Sequence, residues 1–210
     1  MLISTVVTPS LLEQATEMAR TVPRLRLSQT EGRYNIAAAL SELAAAQFLK
    51  IPIEGNLQFD LHYKGKRVDV KSATSNVVPN YTYNGCIPVV NSHQETDYYL
   101  FTRVLRRNEK LTAVYLMAYM RRDGYYAKAH FLRAGASHGG MVAKFDTYSL
   151  EYRRMLDPKR MLRDDWPACD SMQLMLTEAR NTARALVDPT PSTARDNAIK
   201  TVESWTYANK

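Results

Sequence analysis

Asp60, Asp69 and Lys71 are the residues of this chain whose types and spacing point most directly to chemistry. They lie in the segment FDLHYKGKRVDVKSA, residues 59–73. Lys64-Gly65 supplies a two-residue turn between two alternating stretches, since glycine accepts a positive φ. That turn sets Leu61 opposite Val68 and Phe59 opposite Val70, so four apolar side chains share one sheet face. The other face then pairs Asp60 with Asp69, Gln58 with Lys71 and His62 with Arg67. A three-residue turn would place Asp60 opposite Val70 and break the alternation. Aspartates directly across a strand pair have Cβ atoms roughly 4.5–5.5 Å apart, and like charges there destabilise the sheet. Lys71, on the same face as Asp69, neutralises part of that repulsion. A divalent cation would neutralise more, because Mg²⁺ takes hard oxygen ligands, typically carboxylates with waters and substrate phosphate.

A third carboxylate belongs to the same argument. Glu42 sits in IAAALSELAAAQFLK, with Ala38, Ala39, Ala45 and Ala46 around it. A helix that is apolar nearly all round is a buried helix. An isolated carboxylate inside it is costly, so Glu42 needs a partner. The small alanines permit close backbone approach, and a helix packed beside the hairpin would bring Glu42 to the aspartates.

Glu42 on the first core helix, Asp60 on one hairpin strand and Asp69-Val70-Lys71 on the next resemble the PD-(D/E)xK nuclease superfamily. The likeness covers roughly residues 30–105 and includes the following strand DYYLFTRV. Phe59 stands where a proline usually precedes the first aspartate, and Asp69 stands where glutamate is commoner. The resemblance implies a restriction-endonuclease-like fold: a mixed central β-sheet between helices, an α/β/α core. It implies that Asp60, Asp69 and the Val70 carbonyl ligate Mg²⁺, with Mn²⁺ able to substitute. Glu42 would hold the metal or a nearby water, and Lys71 would orient the attacking water. The implied activity is hydrolysis of DNA phosphodiesters by metal-activated water, leaving a 5′-phosphate. The chemistry of the residues agrees, since a metal supplies both a nucleophile near neutral pH and charge neutralisation on phosphoryl oxygens.

The elements that must position these residues follow from pattern. Residues 11–20 read as a helix. Ser28 with Glu31 forms a capping box opening a long helix to about residue 50, closed by Ile51-Pro52. Residues 57–63 and 67–73 read as strands. Residues 75–96 form a polar loop longer than a passive connector needs. Residues 98–105 and 112–119 read as buried strands, 125–134 as a short helix and 146–153 as another strand. Helical pattern covers 158–187, DPTPST at 188–193 is a linker, and 194–207 forms a last small helix. This succession suggests α/β layers around a mixed sheet with a helical C-terminal extension. The expected division is a nuclease-like domain over 1–187 and a linker with a helical tail over 188–210.

Composition limits the partners. The 210-residue chain carries 28 Lys+Arg against 21 Asp+Glu, a net charge of +7. Residues 101–170 hold 14 basic and 8 acidic side chains, so most of the surplus lies just after the hairpin. Lys64, Lys66 and Arg67 cluster at the hairpin tip, and Arg106, Arg107, Arg121 and Arg122 at strand ends. Asn91, His93 and Gln94 close the long loop. Lys64, Lys66, Arg67, Asn91, His93, Gln94, Arg106 and Arg107 are the candidates for contact with DNA, where phosphate contacts make binding salt-dependent. Cys86 and Cys169 show no metal or disulfide spacing, which suits a reducing compartment. There is no phosphate-binding glycine loop or nucleotide-cofactor fingerprint. The start MLISTVVTPS has no basic leader, and the apolar stretch 36–49 is too short and too polar to span a bilayer. A cytoplasmic protein of a bacterium or a virus-infected host cell is therefore expected, not a secreted one.

The small size leaves no room for a separate sequence reader. Structure-directed or low-specificity cleavage follows, of a junction-resolvase, repair, recombination or viral DNA-processing type, with a homodimer as one way to cut two strands. Two alternatives remain: an RNA-directed nuclease with the same site, and a non-catalytic DNA-binding or assembly protein that keeps the fold.

Overall fold

The computed structural model describes residues 2–21, 36–53, 59–138 and 141–163, all within one compact unit, Met1–Ala168. It is a mixed α/β structure. Its central sheet has five strands in the order β1-β6-β5-β3-β2. These are β1 (Ile3–Val6), β2 (Leu61–Tyr63), β3 (Lys66–Ser75), β5 (Tyr98–Arg107) and β6 (Lys110–Arg121). The pair β3 and β5 is parallel and the other neighbours are antiparallel, so the sheet is mixed. β5 is the middle strand, and its sequence YYLFTRVL is buried on both faces, as a strand covered above and below must be.

One face packs against α1 (Pro9–Thr21) and α2 (Ile36–Leu49). α2 buries Ala37, Ala39, Leu40, Ser41, Glu42, Ala44, Ala45, Ala46 and Leu49, which is the all-round burial its alanine-rich sequence requires. Leu61, Val68, Val70, Tyr98 and Leu100 meet it from the sheet. The helix stops at Lys50, which takes the left-handed φ of 58°. Ile51 N–H bonds the Ala46 carbonyl at 3.1 Å and Lys50 N–H that of Gln47 at 3.3 Å, closing the end in a Schellman pattern.

The opposite face differs from the expected second helical layer. It is covered mainly by a three-stranded sheet in the order β4-β10-β7, made of β4 (Asn84–Pro88), β7 (His130–Leu132) and β10 (Thr147–Glu151). The short helix α3 (Arg122–Lys128) contributes Tyr125. Ile87, Leu150, Tyr125 and Tyr152 pack there on Tyr99, Phe101 and Met117. Gly85 lies where a Cβ would stand 2.6 Å from an edge carbon of Phe101, so glycine is what lets the second sheet close on β5.

Several boundaries differ from the pattern reading. The supposed loop 75–96 contains β4, whose GCI run pairs with β10 and not with its neighbours in sequence. The span 125–134 divides into the end of α3 and β7, because Ala129 is buried and turns the chain into an extended strand. β1 leaves no signal in the pattern, since four residues are too few to show a period. The segment from 158 continues as a 3₁₀ helix, Pro158–Arg163. Residues 164–210, with the expected linker and tail, lie outside the described residues, as do 22–35 and 54–58. A two-stranded ribbon, β8 (Ser137–His138) with β9 (Met141–Val142), completes the elements. Among the described residues no helix is long and apolar enough to cross a membrane.

Candidate functional site

The hairpin that carries the site closes through Lys64 (φ 49°) and Gly65 (φ 72°), the paired positive values of a type I′ turn. The register is the expected one, with Leu61 opposite Val68, His62 opposite Arg67 and Tyr63 opposite Lys66. The ladder ends there. Asp60 keeps one backbone bond, from its N–H to the Val68 carbonyl at 3.1 Å. Its side chain then takes over from the backbone: Asp60 Oδ2 accepts the Val70 N–H at 2.6 Å. The strand therefore begins one residue after Asp60, and the simple cross-strand pairing of Asp60 with Asp69 is replaced by a carboxylate bound to the β3 backbone. Successive residues of a strand direct their N–H and C=O to alternate sides, so the Val70 carbonyl faces the same side as Asp60. Gln58, the expected neighbour of Lys71, lies outside the described residues.

Asp69 is buried, and Lys71 Nζ stands 2.5 Å from its Oδ2. Lys71 also donates to Gln94 Oε1 at 2.7 Å and lies 5.8 Å from the centre of the Tyr99 ring. The parallel register explains that last contact, since Asp69 is level with Tyr99 and Lys71 with Phe101. Gln94 is held in place by its own loop. Thr96 Oγ1 donates to the Arg67 carbonyl at 2.9 Å, and the Asp97 N–H donates to it at 2.9 Å.

The electrostatics tie the three carboxylates together. Burial, then the charge of Asp69, then that of Glu42, push the Asp60 carboxyl well above its ordinary value; the Val70 N–H and Lys71 oppose the shift without cancelling it. Glu42 is buried on α2, and its charge is one of those that raise Asp60. Burial opposes the charge on Lys71, but Asp69 and Asp60 outweigh it and hold the ammonium above the usual lysine value. Tyr99 is pushed up too, chiefly by burial, and its hydroxyl shares a 3.0 Å hydrogen bond with that of Tyr126.

The donor set suits a hard divalent cation: three carboxylates and a backbone carbonyl, with Asp69 Oδ2 buried beside a single ammonium. As the side chains stand, no group of three or more His, Cys, Asp or Glu among the described residues is arranged to hold one. Asp60 is turned to the Val70 N–H and Asp69 to Lys71.

The candidate DNA contacts separate into groups. Gln94 belongs to the site through Lys71. Asn91, in a 3₁₀ turn (Val89–Asn91), and exposed His93 stand in the same loop. Lys64 and Lys66 are exposed at the hairpin tip. Arg67 is engaged by Asp97, its backbone N–H at 2.8 Å, Nε at 3.3 Å and a terminal nitrogen at 3.1 Å. Arg106 and Arg107 end β5, about 25 Å along the strand from Tyr99 at the usual rise per residue, well away from the carboxylates. Tyr99 beside Lys71, and Tyr126 bonded to Tyr99, are not among the residues the sequence pattern singles out. Tyr99 was findable, because a strand next to DVK must present alternate residues to the same face. Tyr126 comes from a distant segment and left no local signal. The chain, compared with family models, curated proteins and solved structures, matches none of them.

Proposed function

We propose that this chain is a Mg²⁺-dependent deoxyribonuclease of the PD-(D/E)xK type. The observation that carries the reading is that Asp60 binds the Val70 N–H where the hairpin ladder ends, while one residue before Val70 buried Asp69 is closed on Lys71; the charges of Asp69 and buried Glu42 both raise Asp60. A surface carboxylate pair would be solvated; a buried one that raises the affinity of Asp60 for a proton is a site built to be neutralised. Asp60, Asp69, the Val70 carbonyl and Glu42 would hold Mg²⁺. When bound, that ion would supply an activated water and neutralise charge on the scissile phosphate. Lys71 stays protonated throughout, held by Asp69, and presents its charge to the phosphoryl oxygens. Gln94 orients the Lys71 ammonium from the loop side. A metal at Asp60 competes with a proton, which burial and the neighbouring carboxylates bind more tightly than usual.

A second reading is a non-catalytic DNA-binding protein that keeps this sheet. The direct closure of Lys71 on Asp69, with no ready three-ligand group, favours it. One experiment separates the two. Supercoiled, linear, single-stranded and branched DNA are incubated with the protein in Mg²⁺, Mn²⁺ or EDTA. Cutting only with metal, lost in Asp69→Ala and Lys71→Ala while DNA binding persists, supports the nuclease. Cleavage by both variants at the wild-type rate removes this site from the mechanism.

A further inference from the structure

Beside the carboxylates the aromatic side chains form a row. From Tyr99, ring centres step 6.1 Å to Tyr126, 4.9 Å to Tyr148 and 5.6 Å to Phe131. The row begins in the core, where Tyr99 is fully buried, and ends on the surface, where Phe131 is 46% exposed. Tyr126 and Tyr148 between them are half-buried. Its two ends rest on different elements: Tyr99 on β5 is level with Asp69, and Phe131 is paired with Tyr148 on β7, the edge strand of the second sheet. Phe131 packs edge-on against its cross-strand partner Tyr148 and leaves the rest of its ring open at the strand edge.

Positive charge accompanies the row. The Arg122 guanidinium lies 5.6 Å from the centre of the Tyr126 ring, and Lys71 lies 5.8 Å from that of Tyr99. Arg122 donates to the Ser92 carbonyl at 2.7 Å, yet its Nε is buried with no hydrogen-bond partner. Among the described residues it makes no ion pair, unlike Arg67. The rings meet edge to face, at interplanar angles of 85°, 81° and 61°. Exposed Phe131 and half-buried Tyr148 and Tyr126, beside the Arg122 guanidinium that has no carboxylate partner among the described residues, supply the elements of a single-strand platform: bases stack on rings and phosphate meets the charge. A duplex keeps its base faces stacked internally and offers nothing to such a row.

We propose that Phe131, Tyr148 and Tyr126, with Arg122, form a binding track for unpaired DNA that leads a single strand to Lys71 and the carboxylates. The substrate class, a strand end, flap or single-stranded stretch, rests on the nuclease reading above; the track itself is tested without cleavage.

Anisotropy of a labelled oligo-dT of about ten nucleotides is measured in EDTA, with a blunt duplex and an oligo-U RNA as the other arms. Wild type is expected to prefer oligo-dT. Phe131→Ala, at an exposed position, should weaken oligo-dT binding roughly 5- to 150-fold and leave duplex binding unchanged. Phe131→Trp, which keeps a stacking face, should bind as wild type does. Oligo-dT binding by Phe131→Ala equal to wild type, equal losses on duplex, no wild-type oligo-dT binding, or tighter binding of oligo-U would each overturn the proposal. If wild type binds through Phe131 but never cuts with metal, the nuclease reading falls and the track stands. If metal-dependent cutting is present and Phe131→Ala binds normally, the track falls and the nuclease stands.

Discussion

Lys71 and Asp69 project from the same face of β3, two residues apart on one strand, and their charged atoms meet at 2.5 Å inside the protein. A pair so closely spaced along one strand is set by the pleat alone and needs no tertiary contact to form. The tertiary structure then removes water from it, with the side chains 15% and 5% exposed. Removing one member leaves the other charge buried alone. Lys71→Met, which preserves length and volume, should therefore cost about 3 kcal/mol in urea denaturation. The double variant Asp69→Asn with Lys71→Met should recover part of that loss, since the ion pair is removed as a unit while Asp60 and Glu42 remain. Strict additivity of the two single changes would show that the pair contributes nothing as a pair.

Asp60 gives the site a pH signature. Its ordinary value is 3.8 and the folded protein holds it well above that, by burial and by Asp69 and Glu42. Between the two values the folded state binds more protons than the unfolded chain, so stability falls as pH rises. The metal-free protein should lose stability on going from about pH 4 upward through the folded value, then level off. Lys71 does not interfere, because its shift is upward and its contribution fades only in the alkaline range. Asp60→Asn should abolish the slope. Mg²⁺ should raise Tm more at neutral than at acid pH, since it competes with the Asp60 proton. Denaturation curves at several pH values check both; a slope that persists in Asp60→Asn assigns the titration elsewhere.

The hairpin half of this site was legible because every constraint on it is local. The Lys64-Gly65 turn, the alternation of Leu61, Val68 and Val70, and the pleat that puts Lys71 beside Asp69 all lie within a few residues. Glu42 was legible for another reason: a carboxylate among alanines has nowhere to go but inward. What escaped was non-local. Asp60 leaves the ladder because its carboxylate finds the Val70 N–H, a choice no alternation rule contains. β4 was hidden in a polar loop because its partner, β10, lies more than fifty residues on in sequence. The aromatic row joins β5, α3, β10 and β7, so its members are adjacent only after folding.

Gly85 and Gly65 should separate steric from conformational cost. At Gly85 the backbone is ordinary but a Cβ would stand 2.6 and 2.8 Å from Phe101 carbons, with Met155 next at 3.0 Å. Phe101 is itself packed at 5.4 Å on Tyr125, so the ring has little room to yield. Gly85→Ala should lose about 1–3 kcal/mol, as overpacked cores do. At Gly65 nothing lies within 4 Å, but φ is +72°. Gly65→Ala should cost roughly 1 kcal/mol from strain alone, and Gly65→Asn less, because asparagine tolerates that region. Denaturation midpoints rank the three. A harmless Gly85→Ala would mean that the second sheet sits further from β5 than described.

Arg67 and Lys66 are neighbours at the hairpin tip, and only Lys66 is expected to contribute to DNA binding. Burial works against the Asp97 charge, yet the hydrogen bonds and charge of Arg67 outweigh it and hold that carboxyl below its usual range. The guanidinium is thereby spent within the protein, anchoring the loop that carries Gln94. Exposed Lys66 is the better phosphate contact. Lys66→Ala should lower the slope of log K against log salt by about 1, the signature of one lost phosphate contact. Arg67→Ala should leave that slope unchanged. Its effect should appear instead as slower cleavage, because Gln94 no longer holds Lys71 from a fixed loop, and this slowing should be shared by Asp97→Ala. Binding isotherms across a salt series, set beside single-turnover rates, read the two effects separately. An Arg67→Ala slope reduced as far as that of Lys66→Ala would place the guanidinium on the phosphate and not on Asp97.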